Sequence, residues 1–369
     1  MTGPHLSPAE LPDPPRPVSR PAVVSVRADE LTDADVDGVF ALRERCRLVR
    51  AFPGAPGHRA MVETELRYGW EGNAPEVWLV RDSTGPARDS TVVVAELTVH
   101  VSLHEDFDKA FVGVRVDPDH RGRGIGGALV EVAETWTRAN GRSTLFTTTR
   151  AGETADERFA DRRGFRVVLK EVLRRQVLAE VDRTALAAAV ADAAPRAADY
   201  EMVRFHAPVP AEMVEGMVEL ANALNDAPRE DGSWDDEVWT VERIRSGEVG
   251  TARRGLAMFT VVARRRSDGV LAGETTVAVH PAEPTYGFQW TTVVSREHRG
   301  HRLGLLLKVA MLDWLAVEQP LLRTIDTDNA GSNDHMIAIN ELLGYQVVGM
   351  TQEREKQLTD ITPVTGAAG

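Results

Sequence analysis

The fold follows from the stretch Phe111-Val-Gly-Val-Arg-Val-Asp-Pro-Asp-His-Arg-Gly-Arg-Gly-Ile-Gly-Gly-Ala-Leu-Val130. Residues 111 to 116 have the apolar pattern of a buried strand, and Pro118 ends that strand because proline has no N–H group for the ladder. From Ile125 onward, apolar residues recur at helical spacing until Asn140-Gly141 ends the run. The sequence therefore predicts a strand, a glycine-rich loop and a helix in that order.

The loop between this strand and helix runs from Arg121 to Gly127 and combines arginines with glycines. Unpaired N–H groups at a helix start bind anions, and glycine lets a phosphate approach the backbone closely. We therefore expect a phosphate-binding loop. A P-loop is excluded because no lysine or hydroxyl residue follows the glycines in the required register.

A dinucleotide fingerprint is formally matched by Gly122, Gly124 and Gly127. That motif also requires its first glycine directly at the strand end and an acidic residue about 20 positions further on. Residues 117 to 120 intervene here, and residues 143 to 150 contain no carboxylate. This alternative therefore lacks two of its defining features.

A third pattern, Arg-x-x-Gly-x-Gly, is filled by Arg121, Gly124 and Gly126. It resembles motif A of the GCN5-related N-acetyltransferases (GNAT), whose loop binds acetyl-CoA. The resemblance implies that the loop holds the pyrophosphate, and that the strand ending at Val116 holds the pantetheine through its backbone.

The motif occurs a second time in Gln289-Trp-Thr-Thr-Val-Val-Ser-Arg-Glu-His-Arg-Gly-His-Arg-Leu-Gly-Leu-Leu-Leu-Lys308. Arg299 follows Arg121 by 178 residues, and Glu274 follows Glu96 by the same interval. A period of this length indicates a duplicated domain and not a solenoid repeat. The predicted fold class is α/β (α+β), and the resemblance implies two tandem GNAT folds, each a mixed central sheet flanked by helices.

The domain boundaries follow from the repeat and from composition. We predict a disordered proline-rich tail over 1–21, an N-terminal GNAT domain over 22–180, a helical linker over 181–198, a C-terminal GNAT domain over 199–360 and a tail over 361–369. In the N-terminal domain, a helix from Asp33 to about Arg50 precedes strands around 78–81 and 91–103.

Composition limits the partners. The net charge of −13 argues against nucleic acid, and no apolar run approaches the 18 or so residues of a membrane span. Cys46 is the single cysteine, so no internal disulfide and no cysteine-based metal site is expected. We expect a cytoplasmic monomer or homodimer that needs no metal and acts on a small-molecule amine.

Acetyl transfer to an amine requires a base for the amine proton and stabilisation of an oxyanion. Glu96 and Glu274 occupy equivalent positions where related enzymes often carry a glutamate, although a half-buried strand also exposes every second residue to water. The tyrosine that acts as general acid in the family is aligned with Ala160 in the first copy and Asn340 in the second.

The two copies are unequal. The first has the more complete glycine loop but places Glu153 where the family has an asparagine that contacts CoA. The second retains Asn329 and Asn333, which are also suited to cap a helix, whereas Arg302 replaces its middle glycine. We predict that both loops bind acetyl-CoA, the first more tightly, and that the second domain is catalytic.

The candidate catalytic residues are Glu274 and Glu96. The candidate cofactor-binding residues are Val114, Val116, Arg121, Gly122, Arg123, Gly124, Ile125, Gly126, Gly127, Val294, Arg299, Gly300, His301, Arg302, Leu303, Gly304, Asn329 and Asn333. The predicted function is acetyl transfer from acetyl-CoA to a primary amine of a small-molecule acceptor. The alternative is a non-catalytic or weakly active acetyl-CoA-binding protein that acts as a sensor or regulator.

Overall fold

The structure is a computed structural model that describes residues 22–50, 57–69, 71–82, 92–226 and 232–358. The predicted tails at 1–21 and 361–369 lie outside the described residues. The α-helices are α1 (Asp33–Leu48), α2 (Arg59–Tyr68), α3 (Ile125–Ala139), α4 (Thr154–Arg162), α5 (Arg183–Ala193), α6 (Val214–Asn222), α7 (Val241–Arg253), α8 (Leu303–Glu318) and α9 (Asp334–Leu342). The strands are β1 (Val23–Val26), β2 (Glu76–Arg81), β3 (Val93–His100), β4 (Lys109–Val116), β5 (Thr144–Arg150), β6 (Arg166–Val177), β7 (Tyr200–His206), β8 (Ala257–Arg265), β9 (Leu271–Val279), β10 (Tyr286–Val294), β11 (Thr324–Ala330) and β12 (Tyr345–Gln357).

All twelve strands form one sheet in the order β1-β2-β3-β4-β5-β12-β6-β11-β10-β9-β8-β7. The pairs β4–β5 and β10–β11 are parallel, and the other neighbouring pairs are antiparallel. Each half of the sheet repeats the arrangement of the other. The predicted fold class, two tandem folds with mixed sheets flanked by helices, is confirmed.

The two halves exchange their last strands. The last strand of the chain, β12, pairs with β5 of the first half, with Thr144 opposite Gln357. In the equivalent place, β6 pairs with β11 of the second half, with Thr324 opposite Val177. A boundary near residue 180 therefore separates the halves along the chain but not within the sheet.

The repeated motif folds as its sequence predicts. A short 3-10 turn at Pro118–His120 follows β4, and Ile125, Leu129 and Ala133 of α3 pack on the sheet. In the second copy, Leu303, Leu307 and Met311 of α8 do the same. Full burial of one such side chain stabilises the fold by about 1.5–3 kcal/mol.

The helices cover both faces of the sheet. Along β2, Val77 and Leu79 pack under α1 and α2, whereas the alternate residues Trp78 and Val80 pack in the cluster that contains α3. This alternation follows from the two-residue period of a strand. Helices α1 and α2 therefore lie on the face opposite α3.

Side-chain contacts also join the halves on the α2 side. Arg243 at the start of α7 is buried and ion-paired with Glu105 at 2.7 Å and Glu71 at 2.9 Å. Thr64 of α2 donates a hydrogen bond of 3.1 Å to the carbonyl of Arg253. Breaking a buried ion pair costs about 3–5 kcal/mol, so these contacts fix α7 against the first half.

Candidate active site

A cavity at the beginning of α8, which we call the large cavity, has a volume of about 730 Å³. The end of β10, the loop before α8 and the first turns of α9 form its walls. The structure brings together in this cavity seven of the predicted cofactor-binding residues, namely Val294, Arg299, Gly300, Arg302, Leu303, Gly304 and Asn333. His301 and Asn329 do not line it.

The loop before α8 keeps the backbone geometry of the first copy despite its different sequence. Arg302 has a φ of 60°, in the same left-handed region as Gly124 at 83°. The replacement of the middle glycine by Arg302 therefore leaves the loop conformation intact. Among the described residues Arg302 has no ion-pair partner, and its exposed side chain lines the cavity.

The backbone at the start of α8 is suited to an anion. The bond from the Leu306 N–H group to the Arg302 carbonyl, at 3.3 Å, starts the helical pattern. The amides of Leu303, Gly304 and Leu305 precede it, so they have no carbonyl in the preceding turn to bond. These amides and the Arg302 side chain fit the pyrophosphate of a nucleotide cofactor.

The first arginine of each loop has a structural role that both copies share. Arg299 Nε donates a hydrogen bond of 3.3 Å to the carbonyl of Val294, and Arg299 is also 3.3 Å from the carboxylate of Asp226. Arg121 Nε donates equivalently to the carbonyl of Val116 at 3.2 Å. Both arginines tie the loop to the strand that precedes it.

The first loop is in a different environment. Among the described residues, the large cavity and two smaller ones, of about 450 and 210 Å³, are well formed. No residue from 121 to 127 lines any of these three cavities. A Cβ atom on Gly126 would lie 3.3 Å from Phe159, and one on Gly127 would lie 1.8 Å from the Arg163 guanidinium. Packing between α3 and α4 therefore explains Gly127 without a ligand.

Four other predicted residues of the first copy have structural explanations that need no ligand. Ile125 is buried in the core, and Val114 lies opposite Leu97 in the β3–β4 pair. Arg123 donates to the carbonyl of Asp119 at 2.9 Å. Gly122 has a φ of 75°, which glycine adopts readily.

Glu274 lies on β9, with Val262 opposite it on β8 and Val293 opposite it on β10. The side chain is buried, and no described residue forms a hydrogen bond or an ion pair with its carboxylate. Burial raises the pKa of Glu274 to about 7. Glu274 does not itself line the large cavity, but Val293, directly opposite it on β10, does. The carboxyl is therefore adjacent to the cavity wall, and its pKa is suited to a general base.

Glu96, at the equivalent position of the first copy, is fully buried and ion-paired. Its carboxylate lies 2.8 Å from Arg43 and 2.8 Å from Arg115. Arg43 is also 2.8 Å from Glu65. Burial opposes the charge on Arg43, but Glu96 and Glu65 outweigh that effect and raise its pKa above the usual value. Glu96 thus belongs to a buried charge network.

The residues at the family's asparagine and tyrosine positions have separate roles. Asn333 caps α9 by accepting a hydrogen bond of 3.2 Å from the Met336 amide, and it also lines the cavity. Asn340 is buried, accepts from Lys308 Nζ at 2.9 Å and donates to Asn329 at 3.4 Å. Asn329 therefore belongs to a polar network with Asn340 and Lys308 and not to the lining of the cavity.

Lys308 is a residue of this region that sequence reasoning missed. Burial lowers the pKa of its amine to about 7. Its signal in the sequence was a single lysine within the otherwise apolar first three turns of α8. Tyr345, by contrast, packs in the core as its glycine-aromatic context predicts.

Two further findings concern metals and membranes. In the part of the chain that the structure describes, no three histidine, cysteine or acidic residues are grouped so that they could hold a metal ion. None of the described helices has the length and apolar character needed to cross a membrane.

Comparisons with known proteins agree with this geometry. Residues 44–165 match the model of the acetyltransferase (GNAT) family. No curated protein matches the chain. Among solved structures, a tandem GNAT protein from the clavulanic acid biosynthesis pathway superimposes with a TM-score of 0.74 at 27% identity, covering 91% of this chain and 98% of that one.

A second similar structure is a GCN5-related N-acetyltransferase from Sphaerobacter thermophilus, with a TM-score of 0.62. It is 18% identical and covers 91% of this chain and 95% of its own, so it supports the fold alone. The family match and the tandem relative together support N-acetyltransferase chemistry in general.

Proposed function

Since this chain carries two tandem folds of the acetyltransferase (GNAT) family, we propose that it transfers an acetyl group from acetyl-CoA to a primary amine and that the second fold is catalytic. One observation favours the second fold over the first as the catalytic one. Glu274 is buried beside the large cavity without a partner among the described residues, whereas Glu96 is ion-paired with two arginines.

The loop from Arg299 to Gly304 would hold the pyrophosphate, through the amides at the start of α8 and the side chain of Arg302. When bound, acetyl-CoA supplies a thioester whose acetyl carbon forms a bond to nitrogen as its bond to sulfur breaks. An alkyl amine with a pKa of about 10.4 is almost fully protonated at neutral pH, so it must lose a proton before attack. Glu274 accepts that proton, because a base with a pKa near the working pH is the most effective.

The remaining expectations form part of the same proposal. The acceptor is a small molecule and not a nucleic acid or a membrane, no metal is required, and the protein acts in the cytoplasm as a monomer or homodimer. The net charge of −13 supports a cationic acceptor, because it favours the approach of an amine.

A second candidate function is an acetyl-CoA sensor that does not catalyse transfer. It is favoured by the absence of the family's tyrosine, since the aligned residues Ala160 and Asn340 are both buried and neither is an acid. A protein of this kind would bind acetyl-CoA but release no CoA in the presence of amines.

The test compares Glu274→Gln with wild type in the release of CoA thiol over a panel of primary amines. The substitution keeps the shape of the side chain but removes its basicity, so we expect kcat/KM to fall about 100-fold or more. Acetyl-CoA affinity, measured by calorimetry, should change little because binding does not use the base.

Glu242→Gln, at an exposed glutamate in the first turn of α7, is the matched control. Normal transfer by Glu274→Gln would refute its assignment as the base. If wild type binds acetyl-CoA but releases no CoA with any amine, the sensor function replaces the enzyme.

A further inference from the structure

A second cavity, of about 450 Å³, lies at the seam between the two halves of the sheet. We call it the seam cavity. The first half contributes five arginines to its lining: Arg43, Arg47, Arg50, Arg115 and Arg150. The second half contributes Tyr286, Asp326 and Asp328. One wall is thus basic, and the wall facing it contains carboxylates.

Three of the five arginines are neutralised by nearby carboxylates. Arg43 and Arg115 share Glu96, and Arg47 lies 2.8 Å from Glu44. These ion pairs neutralise the charges of Arg43, Arg47 and Arg115 on the basic wall.

Arg50 and Arg150 differ, because neither forms an ion pair or a side-chain hydrogen bond with any described residue. Burial lowers the pKa of Arg50, and repulsion from Arg150 lowers it further, although Glu153 and Asp156 attract it from a distance. Two half-buried guanidinium groups without close counterions face the seam cavity. This arrangement is suited to an anion, and the fork of arginine favours a carboxylate or a phosphate.

The wall that the second half contributes to the seam cavity carries a net negative charge. Asp326 is neutralised by Arg175, which donates to it at 2.6 and 2.8 Å. Asp328 is exposed to the cavity, and no cation among the described residues forms an ion pair with its carboxylate, which accepts a hydrogen bond from its own backbone amide. Desolvation by the surrounding protein raises the pKa of Asp328, and the hydrogen bond from its own amide offsets this effect only in part.

The strand register sets the separation of these charges. Arg150 on β5 lies opposite Thr351 on β12, which in turn lies opposite Glu171 on β6. Asp328 lies on β11, the next strand. On that strand Asp328 pairs with Leu173, two residues beyond Glu171 on β6. Three strand spacings of about 4.8 Å and an offset of about 7 Å along the strands therefore separate Arg150 and Asp328 by about 16 Å. The arginine side chain spans part of that distance, and a short amino acid spans the remainder.

Asp328 also lies next to the reaction site of the second fold. The parallel pairing of β10 and β11 ends at Phe288 and Asp326, so Asp328 lies where the two strands separate. Further along β10, Thr292, Val293 and Val294 line the large cavity beside Glu274. An amine held near Asp328 is therefore at the edge of the proposed catalytic site.

We propose that the seam cavity binds the acceptor as a zwitterion, with Arg50 and Arg150 holding its carboxylate and Asp328 directing its ammonium group toward the second fold. The acceptor class is a compound in which a primary amine and a carboxylate are joined by a short carbon chain. This inference rests on the proposed function, of which it specifies the substrate.

The test uses pairs of amines that differ only in a carboxylate: 4-aminobutyrate against butylamine, and 5-aminopentanoate against pentylamine. A charge-assisted bond to arginine should give wild type a kcat/KM ratio of at least about 10 in favour of the amino acid. Arg150→Gln should lower that ratio toward 1. Arg183→Gln, at an exposed arginine on α5, is the control whose ratio should match wild type. A wild-type ratio near 1, with transfer to butylamine intact, would overturn the inference and leave the proposed function standing.

A charge reversal sharpens the test. Arg150→Glu replaces a cation at the carboxylate end of the cavity with an anion. We expect this variant to prefer 1,4-diaminobutane over 4-aminobutyrate, the reverse of wild type. An unchanged preference would contradict the assignment of Arg150.

Equilibrium dialysis of radiolabelled 4-aminobutyrate with the full chain, without acetyl-CoA, separates this inference from the proposed function. Binding to wild type that is weakened at least about 10-fold by Arg150→Gln supports the seam cavity even if no amine is acetylated. Absence of binding, together with absence of a carboxylate preference, overturns it. If Arg150→Gln does not fold, as judged by circular dichroism, Arg50→Gln provides the same two readouts.

Discussion

Arg43 donates a hydrogen bond of 2.8 Å from its Nε atom to the carboxylate of Glu96. No arginine in the described part of the chain has this relationship to Glu274, whose neighbours across the sheet are Val262 and Val293. The same residue type at equivalent positions of a duplicated fold is therefore a member of an ion-pair network in one copy and an isolated carboxyl in the other. This difference predicts different consequences for the same substitution.

For Glu96→Gln we expect a loss of stability as the main effect. The substitution removes the charge that Arg43 and Arg115 share. Of these two partly buried guanidinium groups, Arg43 keeps its ion pair with Glu65, whereas Arg115 keeps none with the described residues. Breaking a buried pair in this way costs about 3 kcal/mol or more. The free energy of unfolding in urea at pH 7 measures it.

Glu76→Gln, at an exposed position on β2, is the control for this experiment. Transfer by folded Glu96→Gln should fall far less than transfer by Glu274→Gln. A variant with wild-type stability and abolished transfer would give Glu96 the catalytic role and reverse the assignment of the two folds.

The contact between Arg43 and Glu96 also shows what sequence alone reveals. The strand, loop and helix around Arg121 were predictable because their signals are local: a proline, three glycines and a helical period. Arg43 lies 53 residues before Glu96, and no periodicity relates them. The sequence therefore could not decide whether Glu96 faces water or is buried, because its partner Arg43 is identified only in the folded structure.

Two features of the fold escaped prediction for similar reasons. Helix α2, from Arg59 to Tyr68, follows a segment rich in proline and glycine, and its N-cap residue His58 makes no side-chain capping bond. The exchange of β6 and β12 pairs strands that are far apart in the chain, such as Thr144 of β5 with Gln357 of β12. A two-residue period does not identify the neighbour of a strand. The seam cavity depends on this exchange, since Thr351 of β12 and Leu173 of β6 line it.

The two loops should differ in how they respond to substitution. Arg302→Gly keeps a residue that tolerates a positive φ but removes the cation at the large cavity. We expect the Kd for acetyl-CoA at the second loop to rise about 10-fold, the usual scale for one charge-assisted bond to phosphate. Isothermal titration of the wild type gives the number of sites.

Gly124→Glu is the matched change in the first loop, where the new carboxylate would repel a phosphate. If that loop binds acetyl-CoA, this variant loses one site and keeps the site that depends on Arg302. A single site that survives Arg302→Gly and disappears in Gly124→Glu would place acetyl-CoA in the first fold.

Glu274 should link activity to stability through pH. Burial raises its pKa from an ordinary value near 4.5 to about 7, so the folded state holds the proton more tightly than the unfolded state does. The resulting stability is fully present below about pH 4.5 and is lost as the pH rises through about 7. At pH 8 the buried carboxylate therefore destabilises wild type by up to about 3 kcal/mol, at 1.36 kcal/mol per pKa unit.

Because glutamine does not ionise, Glu274→Gln should be more stable than wild type by this amount at pH 8 and nearly equal to it at pH 4.5, as measured by urea unfolding. Wild-type kcat/KM should rise with pH through about 7 as the base ionises. A stability difference that does not change between pH 4.5 and pH 8 would show that Glu274 titrates normally, and the base would then have to be sought elsewhere in the second fold.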